Sequence, residues 1–84
     1  LVHFSFAEIR RALRNFHRSG TAFLLTTTFD DASPNADMVT GGWRALNLRE
    51  PPFSFPPPLE AIDERCPGYP GKRLALWRMD ALTV

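Results

Sequence analysis

Leu1-Val2-His3-Phe4-Ser5-Phe6-Ala7-Glu8-Ile9-Arg10 reads as the entrance to a helix with no strand in front of it, and a threonine-rich run from Thr21 to Phe29 follows. Helix then strand is half of a βαβ unit. Ser5 and Glu8 stand in the S-x-x-E spacing of a capping box: the Ser5 hydroxyl accepts from the Glu8 backbone N–H, the Glu8 carboxylate reaches back to Ser5, and Phe4 staples to Ile9. The helix is therefore expected to start near Phe6. The strand that would deliver Leu1-Val2-His3 to it is expected to lie outside this sequence, which makes the chain the carboxyl-terminal part of something larger.

Phe6, Ile9, Leu13 and Phe16 recur at spacings of three, four and three, one buried stripe of a helix that runs to Arg18. Ser19-Gly20 ends it, with Gly20 in the left-handed position past the C-terminus and Arg14 and Arg18 complementing the dipole. Thr21-Ala22-Phe23-Leu24-Leu25-Thr26-Thr27-Thr28-Phe29 is apolar on both alternating faces as far as Leu25, the pattern of a buried, parallel-type central strand. Asp30 to Asn35 turns the chain into a long loop. Five of the eight residues from Pro51 to Pro58 are proline, interleaved with Phe53 and Phe55, so that segment is expected to be extended and largely unpaired. Leu59 to Cys66 and Lys72 to Ala81, joined by Pro67-Gly68-Tyr69-Pro70-Gly71, predict a C-terminal antiparallel hairpin with a polar edge arm and a central second arm.

Composition narrows the function classes. At 84 residues the chain is one small domain, and a chain of this size buries only roughly 60–65% of its unfolded surface. Ten Lys and Arg balance nine Asp and Glu, a charge that draws in neither nucleic acid nor membrane. Arg10, Arg14 and Arg18 form an i, i+4, i+8 stripe, but they lie off the apolar face, where a solvated surface belongs. The single Cys66 excludes an internal disulfide, and no signal peptide or apolar run of membrane-spanning length occurs, so a cytoplasmic protein is expected. Cys66 and two scattered histidines give no metal-ligand spacing.

The element order resembles the carboxyl-terminal half of class I S-adenosylmethionine-dependent methyltransferases, in which the final strand inserts antiparallel into an otherwise parallel sheet. Leu1-Val2-His3-Phe4 resembles the segment after their fourth strand, and Ser19 to Phe29 resembles their helix-to-fifth-strand passage. Asn35-Ala36-Asp37, Gly42 to Leu48, Pro51-Pro52-Phe53 and Pro56-Pro57-Pro58-Leu59 resemble the substrate-side loop of a bacterial subgroup. Lys72 to Arg78 would be the last strand. The resemblance implies an α/β, partial Rossmann-like methyltransferase fold that is the acceptor-side half of such an enzyme. It implies S-adenosylmethionine as cofactor and a small-molecule acceptor. The family's glycine-rich cofactor loop and the acidic residue of its second strand are both missing, so the resemblance also implies that the cofactor-binding half is absent and that this chain is inactive without it.

Methyl transfer needs an aligned acceptor, exclusion of water and, for a hydroxyl or amine, removal of a proton. His3 is the candidate catalytic base, at the carboxyl edge of the sheet where open α/β folds bind ligands, although a local hydrogen-bonding role explains it as well. Thr27 and Thr28 end the strand at that edge and are candidate substrate-binding residues, with β-propensity as the plainer reason for them. Asn35, Asp37, Trp43 and Arg44 in the loop complete the set: Arg44 to grip an anionic acceptor, Trp43 to close the pocket, against ordinary packing and solvation for both. His17, late in the helix, reads as a surface residue.

A non-enzymatic reading competes with the enzyme. A severed half-sheet leaves the Thr21–Phe29 edge and the helix face without neighbours, and exposed edges seek partners, so a homodimer or other self-associating module is the alternative.

Overall fold

The computed structural model describes residues 1–83. Helix α1 spans Phe6–Arg18, strand β1 Phe23–Phe29, strand β2 Glu60–Asp63 and strand β3 Lys72–Arg78, and a single 3-10 turn, Met79–Ala81, follows. The three strands form an antiparallel sheet in the order β1-β3-β2, so this is a small α/β domain with one helix on one sheet.

Helix α1 begins where the cap predicts. Ser5 Oγ accepts from Glu8 N–H at 3.2 Å. The reciprocal half of the box is not made: Ser5 N–H donates to Thr40 Oγ1 at 3.0 Å, and Glu8 turns outward to Arg11 at 3.3 Å. The Phe6 N–H, which no residue of the helix itself can accept, donates to Asp37 Oδ1 at 2.9 Å. The long loop thus supplies two of the side chains that seal the helix N-terminus. Gly20 ends α1 at φ +80°, a conformation that glycine adopts without strain. Ile9 and Leu13 are fully buried, whereas Phe16 is exposed and does not complete the expected stripe.

Strand β1 corrects the sequence reading. It starts at Phe23 rather than Thr21 and lies at the edge of the described sheet instead of its centre. Its even-numbered side chains Leu24 and Thr28 lie on the core face and are buried, while Phe23 and Leu25 on the other face are 54% and 61% exposed. Apolar residues on both faces therefore do not mean cover on both faces here. The hairpin is as expected in kind, with β2 the polar edge and β3 the centre, though both arms are shorter than the sequence suggests.

The core lies between α1 and the covered face of β1 and β3, closed from the side by the loop. Ile9, Leu13, Leu24, Leu46, Leu48, Phe55, Ala75, Trp77, Met79 and Leu82 form one cluster. Trp77 is its largest member; its Nε1–H donates to Pro56 O at 2.7 Å and its ring meets Phe55 edge to face at 5.2 Å. The proline-rich segment is thus a wall of the core. Gly71, in the β2–β3 connection, packs where a Cβ would overlap the Asp31 carboxylate, and its carbonyl accepts from Asp30 N–H at 2.8 Å.

Candidate functional site

At the carboxyl end of β1, on the face away from α1, a cavity of about 190 Å³ is lined by Val2, Thr27, Phe29, Trp43, Cys66, Tyr69 and Lys72. Three aromatic rings form one side of it. Phe29, Trp43 and Tyr69 meet pairwise edge to face, with centroids 6.0 Å apart for Phe29–Trp43, 5.7 Å for Phe29–Tyr69 and 5.5 Å for Trp43–Tyr69. Such geometry sets the electropositive edge of each ring against the face of the next and holds the trio without a covering layer. Polar groups are sparse: the Thr27 hydroxyl, the Cys66 thiol, the Tyr69 phenol and the Lys72 ammonium. Lys72 is bound to Glu64 at 3.1 Å, and that hydrogen bond and its charge hold the ammonium above the ordinary lysine pKa.

Five elements of sequence meet here. Thr27 and Phe29 alternate along one face of β1, and Lys72 is the register partner of Phe29. Cys66 and Tyr69 come from the β2–β3 connection, where Tyr69 N–H donates to Cys66 O at 3.0 Å. Trp43 comes from the long loop and Val2 from the segment before α1. A benzene ring fits a cavity of about 150 Å³, so the site has room for a single-ring ligand.

Of the residues singled out from sequence, Thr27 and Trp43 line this cavity together. His3 does not line it, but sits next in sequence to Val2 and is tied to the residue before Trp43: its Nδ1 lies 2.8 Å from Gly42 O. A carbonyl only accepts, so Nδ1 carries the hydrogen and Nε2 of the neutral ring keeps its lone pair. Thr28 points to the opposite face, 2% exposed, where its Oγ1 accepts from Leu48 N–H at 3.0 Å.

Asn35, Asp37 and Arg44 act on the chain's own backbone. Asn35 Nδ2 donates to Asn47 O at 2.7 Å and Pro51 O at 2.9 Å, and its Oδ1 accepts from Asn47 N–H at 2.8 Å. Arg44 Nε donates to Ala36 O at 2.8 Å and Nη1 to Val2 O at 2.9 Å, with the guanidinium 5.5 Å from the Phe6 ring centroid. Burial lowers the Arg44 pKa, and the Asp37 charge opposes that shift. Its Nη2 is buried without a hydrogen-bond partner among the described residues.

Asp37 is held below the ordinary carboxylate pKa, first by the Phe6 N–H, then by the Met38 N–H, with Arg44 and Arg10 adding to it. A depressed folded-state pKa gives stability that is complete above the unfolded value and is lost as pH falls through the folded one. Wild-type protein should therefore exceed Asp37→Asn in thermal stability at neutral pH. The gap should begin to close near pH 3.8, the ordinary value, and vanish below it. Parallel melts across pH 2 to 7 check this, and a gap independent of pH refutes it.

Residues that the sequence did not single out complete the cavity. Phe29 was accessible from the period of two along β1, being on the face of Thr27. Tyr69, Cys66 and Lys72 were not, because only the antiparallel register brings the hairpin connection to the end of β1.

The resemblance implies S-adenosylmethionine, and the residues present do not fit it. Gly41-Gly42, the one adjacent glycine pair, closes the loop instead of opening a helix: Gly41 N–H donates to His3 O at 2.8 Å, Gly42 N–H to Val39 O at 3.3 Å, and Gly42 O accepts from His3. No cradle of free backbone N–H groups remains there.

Among the described residues no cluster of three His, Cys, Asp or Glu side chains is placed to hold a metal ion, and no helix is long and apolar enough to cross a membrane. Another cavity, of about 130 Å³, lies on the helix side between Arg10, Leu13, Arg14, Pro52, Phe53 and Phe55, and none of the candidate residues reaches it. Comparison of the chain with protein-family models, curated proteins and solved structures finds no match.

Proposed function

We propose that this chain is the acceptor-binding side of an S-adenosylmethionine-dependent methyltransferase, with the cavity at the end of β1 as the seat of a small, single-ring acceptor. One observation carries the reading. Strands β1 and β2 run in the same direction with β3 antiparallel between them, the arrangement that the family's inserted final strand would produce. The cavity supports it by position, since ligands of open α/β sheets bind beyond the carboxyl ends of the parallel strands.

In this reading the aromatic trio provides a flat apolar wall, Thr27 hydrogen-bonds the acceptor's polar group, and Trp43 screens the site from water. His3, with Nε2 free, is the group able to take a proton from an acceptor hydroxyl or amine that reaches it. The methyl donor belongs to a cofactor-binding half, and no residue of this chain is assigned to it.

The test pairs two titrations of the purified chain. Calorimetry with S-adenosylmethionine is expected to give no heat of binding. NMR titration with a panel of phenols and aromatic amines is expected to move the Thr27, Trp43 and Tyr69 resonances for at least one compound, and Trp43→Ala should weaken that compound about tenfold, the scale of one lost aromatic contact. A panel that leaves those three residues unmoved overturns the proposal.

A further inference from the structure

Among the described residues the outer edge of β1 is open and uncharged, and its free length is fixed at both ends. Met79 N–H donates to Ala22 O and Asp30 N–H to Gly71 O, each at 2.8 Å, which makes the even-numbered residues of β1 the ones hydrogen-bonded to β3. The odd-numbered residues turn their N–H and C=O groups outward. At the carboxyl end Phe29 N–H is already taken by Leu46 O at 2.9 Å. At the amino end the chain leaves the edge for α1, with Thr21 N–H donating to Phe16 O at 3.2 Å. Phe23, Leu25 and Thr27 remain, and Leu25 is their centre.

We infer that a second copy of this chain pairs with the β1 edge, antiparallel, about a two-fold axis at Leu25. Leu25 then opposes its own counterpart and Phe23 opposes Thr27 in both directions. Each facing pair exchanges two backbone hydrogen bonds, and the two sheets join into one of six strands. Charge favours this edge over the other. From Phe23 to Thr27 no residue is charged, whereas a β2 edge paired with itself would bring together exposed Glu60 and Asp63, the usual way an edge is protected. The two most exposed side chains of β1, Phe23 and Leu25, lie on the same sheet face and gain cross-strand neighbours in the pairing. A five-residue edge covers less than the roughly 800 Å² per partner of a standard stable interface, so the association is weak and reversible.

The pairing also reaches the cavity. It sets the partner's Phe23 against Thr27, so an aromatic ring from the second copy extends the cavity wall on the side where Thr27 lies. That extension rests on the acceptor site proposed above; the dimer does not, and it occupies the same β1 edge that a cofactor-binding half joined to this sheet would take, so the two are alternative partners of one edge.

Sedimentation velocity over a concentration series should find a reversible monomer–dimer equilibrium. Leu25→Lys, which sets like charges against each other at the axis, should weaken it about tenfold or more while leaving circular dichroism unchanged, because residue 25 is exposed. Register is tested by oxidation in a Cys66→Ser background. Leu25→Cys should form a covalent dimer, since facing Cα atoms about 5.5 Å apart are within disulfide reach. Ile62→Cys, at a site 64% exposed on β2, should not. A monomer at every concentration overturns the inference, as does cross-linking no faster at residue 25 than at residue 62. Neither readout involves a ligand, so failure here is separate from failure of the acceptor reading.

Discussion

Replacing Trp77 by alanine is expected to destabilise the domain by about 3–5 kcal/mol, the range for a large aromatic removed from a core. Small domains of this length are stable by about 4–13 kcal/mol in total, so the variant should be largely unfolded at physiological temperature or melt far below wild type. Trp77 is 1% exposed and central in position. It lies on β3 opposite Leu24, so it joins the strand that carries the cavity to the strand that carries the hairpin. Its Nε1–H also fixes Pro56, in the proline-rich segment that walls the core. Trp77→Phe, which keeps most of the ring but loses the donor, should recover the greater part of the loss. Denaturant titration of the three proteins checks the order, and equal loss for the Ala and Phe variants would mean that the hydrogen bond, not the packing, dominates.

How far the fold could be read depended on whether the deciding chemistry was local. Helix α1 was legible because its signals are within a turn of its ends: Ser5 at the cap, Gly20 past the end, Ile9 and Leu13 on one face. The hairpin was legible because a proline and glycine run separates two strand-like segments. Strand β1 misled because Phe23, Leu24 and Leu25 are apolar on consecutive positions, a pattern that registers affinity for a covered face without saying which neighbour covers it. One face is covered by the core; on the other, Trp43 and Tyr69 reach only the Phe29 end, and Phe23 and Leu25 stay exposed. The loop was the least legible part. Asn35 reads as a turn residue and Arg44 as a solvated or ligand-gripping cation, yet both hold backbone carbonyls eight or more residues away in sequence. Side chains that bridge such distances carry no local spacing by which to be found. The cavity was half legible for the same reason: Thr27 and Trp43 are placed by their own segments, whereas Tyr69 and Lys72 arrive only with the sheet register.

Asn47 is the other position where a single change should cost most. It is 5% exposed. Its Nδ2 donates to Asp30 O and Ala32 O, each at 3.2 Å, and its Oδ1 accepts from Arg49 N–H at 3.0 Å. Its backbone N–H and C=O are both taken by the Asn35 side chain. Two asparagines thus lock the exit of β1 to the far arm of the loop, and the intervening residues, Trp43 among them, are held between these anchors. Asn47→Ala leaves three part-buried backbone groups, Asp30 O, Ala32 O and Arg49 N–H, without their partner, with an expected loss of about 1–3 kcal/mol and a fall in melting temperature of about 5–20 °C. The Trp43 ring resonances should broaden or shift with it, which a loss confined to the core would not produce. Asn47→Asp separates hydrogen bonding from volume. The new carboxylate faces two carbonyls, so its pKa in the folded state is raised. Relative to wild type at the same pH, this variant should be as damaged as Asn47→Ala at neutral pH and should recover as the pH falls through that raised value, when the protonated carboxyl again offers one donor. A deficit that does not shrink on acidification would mean that the Nδ2 bonds are not what holds the loop, and that the Asn35 side of the clamp carries it alone.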